Sequence, residues 1–257
     1  MMRFSIVQES RQGKRRLNQD RVGHWRAPEA VLMAVADGMG GHAGGELAAQ
    51  VAIDFLAGAF RAAAKPSIPE PGLFLSHTLH GTHAAIVQEG RKAGLGDAPR
   101  TTLVACIVQA GTAYWSFVGD SRLYVIRAGR ILTRTRDHTK IQQLIDAGRM
   151  REEAAPAHRE RNKLLRCLGG SIACACEPVA SAPLAGGDLV LLCSDGLWGP
   201  LTPRQLTLAL LGKDPARALP DVTALAEARG GSDCDNISAV LMQWQDDGVS
   251  GPRAQRP

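Results

Sequence analysis

The sequence predicts an α+β fold in which antiparallel sheets are flanked by helices grouped outside them. Three observations predict it. Short apolar runs rich in Val, Leu and aromatics are bounded by Gly, Asp or Asn, the mark of core strands. Two long helix-patterned segments follow one another between residues 42 and 93 instead of alternating with strands. Neither a repeat nor a linker interrupts the 257 residues, enough for one large domain. We assign 1–244 to that domain and the short, polar, Gly/Pro-containing 245–257 to a disordered tail.

The elements follow in order. Residues 5–7 and 22–25 read as short strands around a basic loop, and 31–36 as a buried strand running into Asp37-Gly38. Residues 42–64 read as a helix, with Leu47, Val51, Phe55 and Ala59 at helical spacing. A Pro-rich loop ends it, and 73–93 form a second helix with Leu75, Leu79 and Ile86 on one face. Residues 101–109, 113–118 and 123–126 resemble a strand meander, with a turn at 127–130 into Ile131-Leu132. Residues 141–147 are helical, whereas 149–162 are charged and aperiodic, a surface insertion. After a strand at 189–193, Thr202-Pro203-Arg204-Gln205 carries a capping box. Asp214-Pro215 starts a last helix and Gly230-Gly231 stops it.

Four acidic turns lie against these strands: Asp37-Gly38, Gly119-Asp120, Asp195-Gly196 and Asp235-Asn236. A single Asp at a strand end is as readily a turn residue as a functional one. Four together are harder to dismiss. Desolvated carboxylates that converge repel one another, and all-oxygen ligand sets select hard cations such as Mg²⁺ or Mn²⁺. Two such ions could lower the pKa of a shared water, a chemistry suited to phosphate-ester hydrolysis. A phosphate dianion also calls for a planar, permanently charged arginine.

Composition is that of a soluble globular protein, with a formal net charge of +5. The basic stretches at 11–26 and 149–166 hold little aromatic residue beyond Trp25, which argues against a nucleic-acid groove. No CxxC pair occurs among the six cysteines, and Cys174-Ala-Cys176 lacks a second pair for zinc. His77, His80 and His83 step around a helix without an acid or Cys to join them, so a solvated face is expected. With neither a signal peptide nor an apolar run of about 20 residues, the expectation is a reduced, cytoplasmic protein without a membrane span.

At the level of motifs the chain resembles the metal-dependent PP2C-like (PPM) serine/threonine protein phosphatases, in their compact bacterial branch. Arg15-Arg16-Leu17-Asn18-Gln19-Asp20, Ala36-Asp37-Gly38-Met39-Gly40-Gly41-His42, Thr101-Thr102, Val118-Gly119-Asp120-Ser121-Arg122, Cys193-Ser194-Asp195-Gly196-Leu197-Trp198 and Asp235-Asn236-Ile237-Ser238 stand in the family's order over roughly 5–243. The resemblance implies a four-layer α-β-β-α sandwich with a binuclear Mn²⁺ or Mg²⁺ centre and room for a third ion. Under it Asp37 bridges both metals, the Gly38 carbonyl ligates one, and Asp195 and Asp235 bind the other. Asp120 with Asp195 matches a third-metal site, with Asn162 a weaker candidate. Arg15 matches the phosphate-binding arginine, Asp20 the acid behind the metal ligands, and 139–162 the variable flap.

Three departures stand out. Gln19 replaces a common Glu, Arg100 replaces a usual Gly, and Met39 stands where animal members carry a His proposed as general acid. His42, His138 and His158 are the remaining candidates for that role. The reading favoured is a phosphatase acting on phosphoserine and phosphothreonine in proteins, opposing a cognate Ser/Thr kinase, as a monomer. A catalytically silent phosphopeptide binder and an esterase for small metabolites or nucleic acid remain as alternatives. Asp37, Asp195 and Asp235, whose loss would mark the silent case, are all present.

Overall fold

The computed structural model describes residues 2–39, 42–161, 163–171 and 176–245. It opens with β1 (Arg3–Arg11), β2 (Asp20–Arg26) and β3 (Ala30–Met39), followed by the helices α1 (His42–Ala63) and α2 (Pro71–Lys92). Five strands come next: β4 (Arg100–Thr101), β5 (Leu103–Gln109), β6 (Thr112–Val118), β7 (Arg122–Arg127) and β8 (Arg130–Arg134). The helix α3 (Lys140–Asp146), a short 3₁₀ turn (Glu152–Ala157), and strands β9 (Leu168–Gly169), β10 (Ala180–Pro183) and β11 (Leu189–Cys193) lead to three helices. These are α4 (Asp195–Trp198), α5 (Pro203–Leu210) and α6 (Pro215–Gly230), and β12 (Ile237–Gln245) follows.

The strands form two sheets, ordered β1-β12-β11-β7-β8 and β10-β6-β5-β3-β4-β9, with β2 added along β3. Pairing within both is antiparallel. Alternation inside β3 shows why helices must cover the sheets. Val31, Met33 and Val35 face Val190, Leu192, Val240 and Met242 of the opposite sheet. Leu32, Ala34 and Ala36 face Leu56, Phe60, Leu75 and Leu79 of α1 and α2. A strand buried on both faces needs a layer on each side. On the far side, Leu191, Cys193 and Leu241 pack against Leu206, Leu219 and Val222 of α5 and α6. Helix, sheet, sheet and helix therefore stack around three apolar seams, the four-layer arrangement expected.

Several expectations are corrected. Helix α1 exists, but its buried face is Ala48, Ala52, Ile53, Leu56 and Phe60, while Phe55 is exposed. Small alanines let the helix lie close to β3, a packing reason that apolar spacing alone misses. The strands 101–126 are not one meander, because β6 and β7 belong to different sheets and the chain crosses between them at 119–121. The first two strands are longer than 5–7 and 22–25. The capping box is present, with Thr202 Oγ1 accepting from Gln205 N–H at 3.3 Å and Gln205 Oε1 accepting from Thr202 N–H at 3.0 Å. Most of the expected tail, 246–257, lies outside the described residues; Gln245 ends β12. No helix among them is long and apolar enough to cross a membrane.

Candidate metal centre

The acids meet where the ends of several strands meet. Asp20 and Asp37 are directly opposed partners across the β2–β3 pair. The Asp37 backbone is gripped from β4 and β5: its N–H donates to Thr102 Oγ1 at 3.1 Å, and its carbonyl accepts from Thr102 N–H at 2.8 Å and Thr101 Oγ1 at 2.9 Å. Gly38 follows in register with Thr101. Asp195 opens α4, with its carboxyl at electrostatic range of those of Asp37 and Asp235. A Cβ on Gly196 would stand 2.0 Å from the Asn236 carbonyl oxygen, so a side chain there would push α4 off the Asp235–Asn236 turn.

Asp120 sits at the crossing between sheets. Gly119 before it has φ +102, and a Cβ there would meet Thr102 at 2.6 Å, so the crossing requires glycine twice over. Trp198 Nε1–H donates to the Asp120 carbonyl at 3.0 Å, tying the crossing to α4. Asn236 staples the basic β1–β2 loop beneath the acids. Its Oδ1 accepts from Gln19 N–H at 2.9 Å, and its Nδ2 donates to the carbonyls of Gln12 at 2.7 Å and Leu17 at 3.0 Å. That loop carries Arg15, whose Nη2 reaches Asp235 Oδ2 at 2.6 Å while the side chain keeps 57% of its exposure.

The electrostatics of this cluster are one-sided. Burial, then the charge of Asp20, Asp195, Asp120 and Asp235, raises Asp37 well above the usual carboxylate range. Burial raises Asp120 in the same way, with Asp195 and Asp137 adding to it and Arg122 opposing. Burial and Asp235 push Asp195 up to about 6. Burial pushes Asp20 up to about 7, opposed by the hydroxyl of Ser194, whose Oγ donates to Asp20 Oδ2 at 2.7 Å. The hydrogen bond and charge of Asp235 raise Arg15, a single exposed cation that cannot balance five acids.

Among the described residues, no three His, Cys, Asp or Glu side chains stand as a closed ion cage. The carboxylates face one another at electrostatic range instead. Their fit to divalent cations rests on charge and donor type. Bare oxygen donors crowded together, with Asp20 and Asp120 buried and Asp37, Asp195 and Asp235 partly exposed, are the environment that hard dications relieve.

The other sequence candidates fall elsewhere. The Gln19 amide lies against Gly45 at the start of α1, with an added Cβ there 2.6 Å from Gln19 Nε2. Asn162 and the His42 side chain lie outside the described residues. His138 is unsuited to act as a general acid. Its Nδ1 accepts from Gly119 N–H at 3.1 Å, its Nε2 contacts Glu177 Oε1 at 3.0 Å, and the ring stacks on Phe117. His158 Nδ1 accepts from Glu160 N–H at 3.1 Å within the surface insertion. His83 accepts from Gly169 N–H at 3.1 Å, whereas His77 and His80 are exposed. Sequence reasoning assigned no role to Thr102, Ser194 or Asn236. For Ser194 and Asn236 the position beside the acidic turns was the available signal, and for Thr102 its place in the ordered Thr101-Thr102 motif.

A cavity of about 740 Å³ extends from Arg15, Asp195 and Asp235 past Arg122 and Trp198 to Ile141 on α3.

Residues 7–228 match the family profile of protein phosphatase 2C. The serine/threonine protein phosphatase PstP of Mycobacterium tuberculosis is 34% identical over 221 residues, covering 82% of this chain and 40% of PstP. The chain thus spans less than half the length of that relative. The serine/threonine phosphatase stp of Listeria monocytogenes is 31% identical, covering 82% of this chain and 84% of stp. The crystal structure of the PstP catalytic domain in complex with two manganese ions superposes with a TM-score of 0.81 at 30% identity, covering 95% of this chain and 99% of that one.

Proposed function

The chain belongs to the protein phosphatase 2C family, and on that premise we propose that it is a metal-dependent protein phosphatase. It hydrolyses phosphoserine and phosphothreonine esters in proteins and so reverses a cognate kinase. The observation that carries the reading is the acidic cluster: turns from both sheets crowd carboxylates together, with the exposed Arg15 paired to Asp235 at its rim.

Asp37, the Gly38 carbonyl, Asp195 and Asp235 would hold two Mn²⁺ or Mg²⁺ ions, and Asp120 with Asp195 a third. When bound, such ions neutralise the carboxylates, acidify water at neutral pH and offset charge on phosphoryl oxygens. The rest falls to the protein. Arg15, at the rim of the cluster, offers a planar fork to the phosphate dianion entering from the cavity. Asp20, buried and directly opposite Asp37 across the β2–β3 pair, stands behind the ligand set. Ser194 fixes its orientation. The Thr101–Thr102 grip on the Asp37 backbone fixes where that side chain leaves the strand. In the reaction, water oxygen bonds to phosphorus and gives up a proton, the bond to the serine or threonine oxygen breaks, and that oxygen takes up a proton in balance.

Cys106 and Cys193 take no part in the proposed reaction. Burial pushes the thiols of Cys106 and Cys193 up, away from a reactive thiolate. The test is phosphate release from phosphoserine, phosphothreonine and phosphotyrosine peptides with Mn²⁺ or with EDTA. Release from the first two only, and only with metal, is expected. Full activity in EDTA, or a preference for phosphotyrosine, overturns the reading.

A further inference from the structure

Beside the acid cluster stands a second polar arrangement that the proposed reaction does not use. Arg122, the first residue of β7, forks onto Asp137, with Nε to Oδ1 at 2.8 Å and Nη2 to Oδ2 at 2.7 Å. Its Nη1 donates to Tyr124 Oη at 3.1 Å, and its guanidinium carbon lies 3.3 Å from the centre of the Trp198 ring. Both charged side chains are nearly buried, at 11% and 6% exposure. One cation therefore ties three segments together: the crossing that carries Asp120, the helix that Asp195 opens, and the root of α3.

Each tie leads directly to the site. Trp198 closes the helix that starts at Asp195, and its indole N–H holds the Asp120 carbonyl at 3.0 Å. Asp137 precedes His138, whose N–H donates to the Gly119 carbonyl at 2.9 Å. Thr139, next along, caps α3. Arg122, Asp137, Thr139 and Trp198 also line the cavity leading from Asp195. Lysine cannot replace the arginine here, because only a planar fork can grip a carboxylate along its edge while stacking its face on an indole.

We propose that Arg122, clasped between Asp137 and Trp198, is a positioning residue that fixes Asp120 relative to Asp195 and couples that spacing to the root of α3. The proposal rests on the phosphatase reading only for its kinetic consequence. The consequence for metal binding stands on the geometry alone. Loosening the clamp frees α4 and the crossing to drift apart, so divalent cations should bind less tightly without loss of the fold.

The experiment compares wild type, Arg122→Lys and Asp137→Asn. Mn²⁺ binding is followed by calorimetry without substrate, kcat and KM are measured on 4-nitrophenyl phosphate and a phosphothreonine peptide, and circular dichroism checks the fold. Arg122→Lys keeps the charge and loses the fork, and is expected to weaken the Mn²⁺ dissociation constant by about tenfold. At saturating Mn²⁺ kcat should fall on both substrates, with KM for the aryl phosphate unchanged because Arg15 is untouched. Asp137→Asn, which preserves volume, should shift Mn²⁺ affinity in the same direction and serves if Arg122→Lys does not fold. Wild-type Mn²⁺ affinity in the folded variants, with only a lower Tm, overturns the proposal and makes the clamp architectural. If wild type binds Mn²⁺ but releases no phosphate, the phosphatase reading fails while the calorimetric comparison still decides the clamp.

Discussion

Strand β11 carries an aspartate at each end, and the two live in opposite electrostatic worlds. Asp188, just before the strand, is fully buried, yet Arg127 forks onto it at 2.8 and 2.7 Å and Ala185 N–H donates to it at 2.8 Å. Asp195, just after the strand, faces Asp37 and Asp235 instead and is pushed up to about 6. Same strand, same residue type, similar burial of the strand between them. The difference is the partner. A buried acid with its own arginine holds structure together, whereas acids crowded against one another make a place for cations.

Substitutions should separate the two ends. The largest effect is expected at the unbalanced end: Asp37→Asn should lower Mn²⁺-dependent turnover by at least about 100-fold, measured on a phosphothreonine peptide at saturating metal. Retained turnover would remove Asp37 from the centre. At the balanced end, Asp188→Ala should leave turnover intact but lower Tm by about 5 °C, since bonds to a charged group and a backbone N–H are lost. Differential scanning calorimetry checks it, and an unchanged Tm would make the pair incidental.

Next comes Arg15, paired with Asp235 at the acidic end. Arg15→Ala should raise KM by about tenfold through loss of a charge-assisted bond to phosphate, with little change in Mn²⁺ affinity. A collapse of Mn²⁺ binding at constant KM would instead make it a structural partner of Asp235. The smallest and most gradual effect is on pH dependence without metal. Asp20 at about 7 and Asp195 at about 6 hold protons in the fold that the unfolded chain has already released. In EDTA, stability should therefore fall as pH rises from about 4 through about 7. Urea denaturation across that range is the check, and stability that rises with pH would contradict the mutual repulsion.

Much of this contrast could be read from the sequence, and its limits are physical. The position of Asp37, Asp120, Asp195 and Asp235 was visible because each adjoins an apolar run, and local neighbours carry that signal. The four layers became visible only through the family's motif order. The buried face of α1 was misread because alanines make up part of it beside Ile53, Leu56 and Phe60, and they carry little hydrophobic weight in a spacing argument. The change of sheet at 119–121 was also hidden: β6 and β7 look alike in sequence, and only register assigns them to different sheets. Partners such as Arg127 for Asp188 and Arg122 for Asp137 are set by strand pairing and by the return of the chain. Nothing in local composition distinguishes a matched aspartate from an unmatched one.

The central claim is that the imbalance at one end of β11 is a cation site. Thermal melting of wild type and Asp195→Asn, each in EDTA and in Mn²⁺, tests it most directly. In EDTA the variant should be as stable as wild type or more so, because a repelling charge is gone. Mn²⁺ should raise the Tm of wild type by preferential binding to the fold and leave the variant nearly unmoved. A variant that melts earlier than wild type in EDTA, together with equal Mn²⁺ shifts for both, would contradict the account.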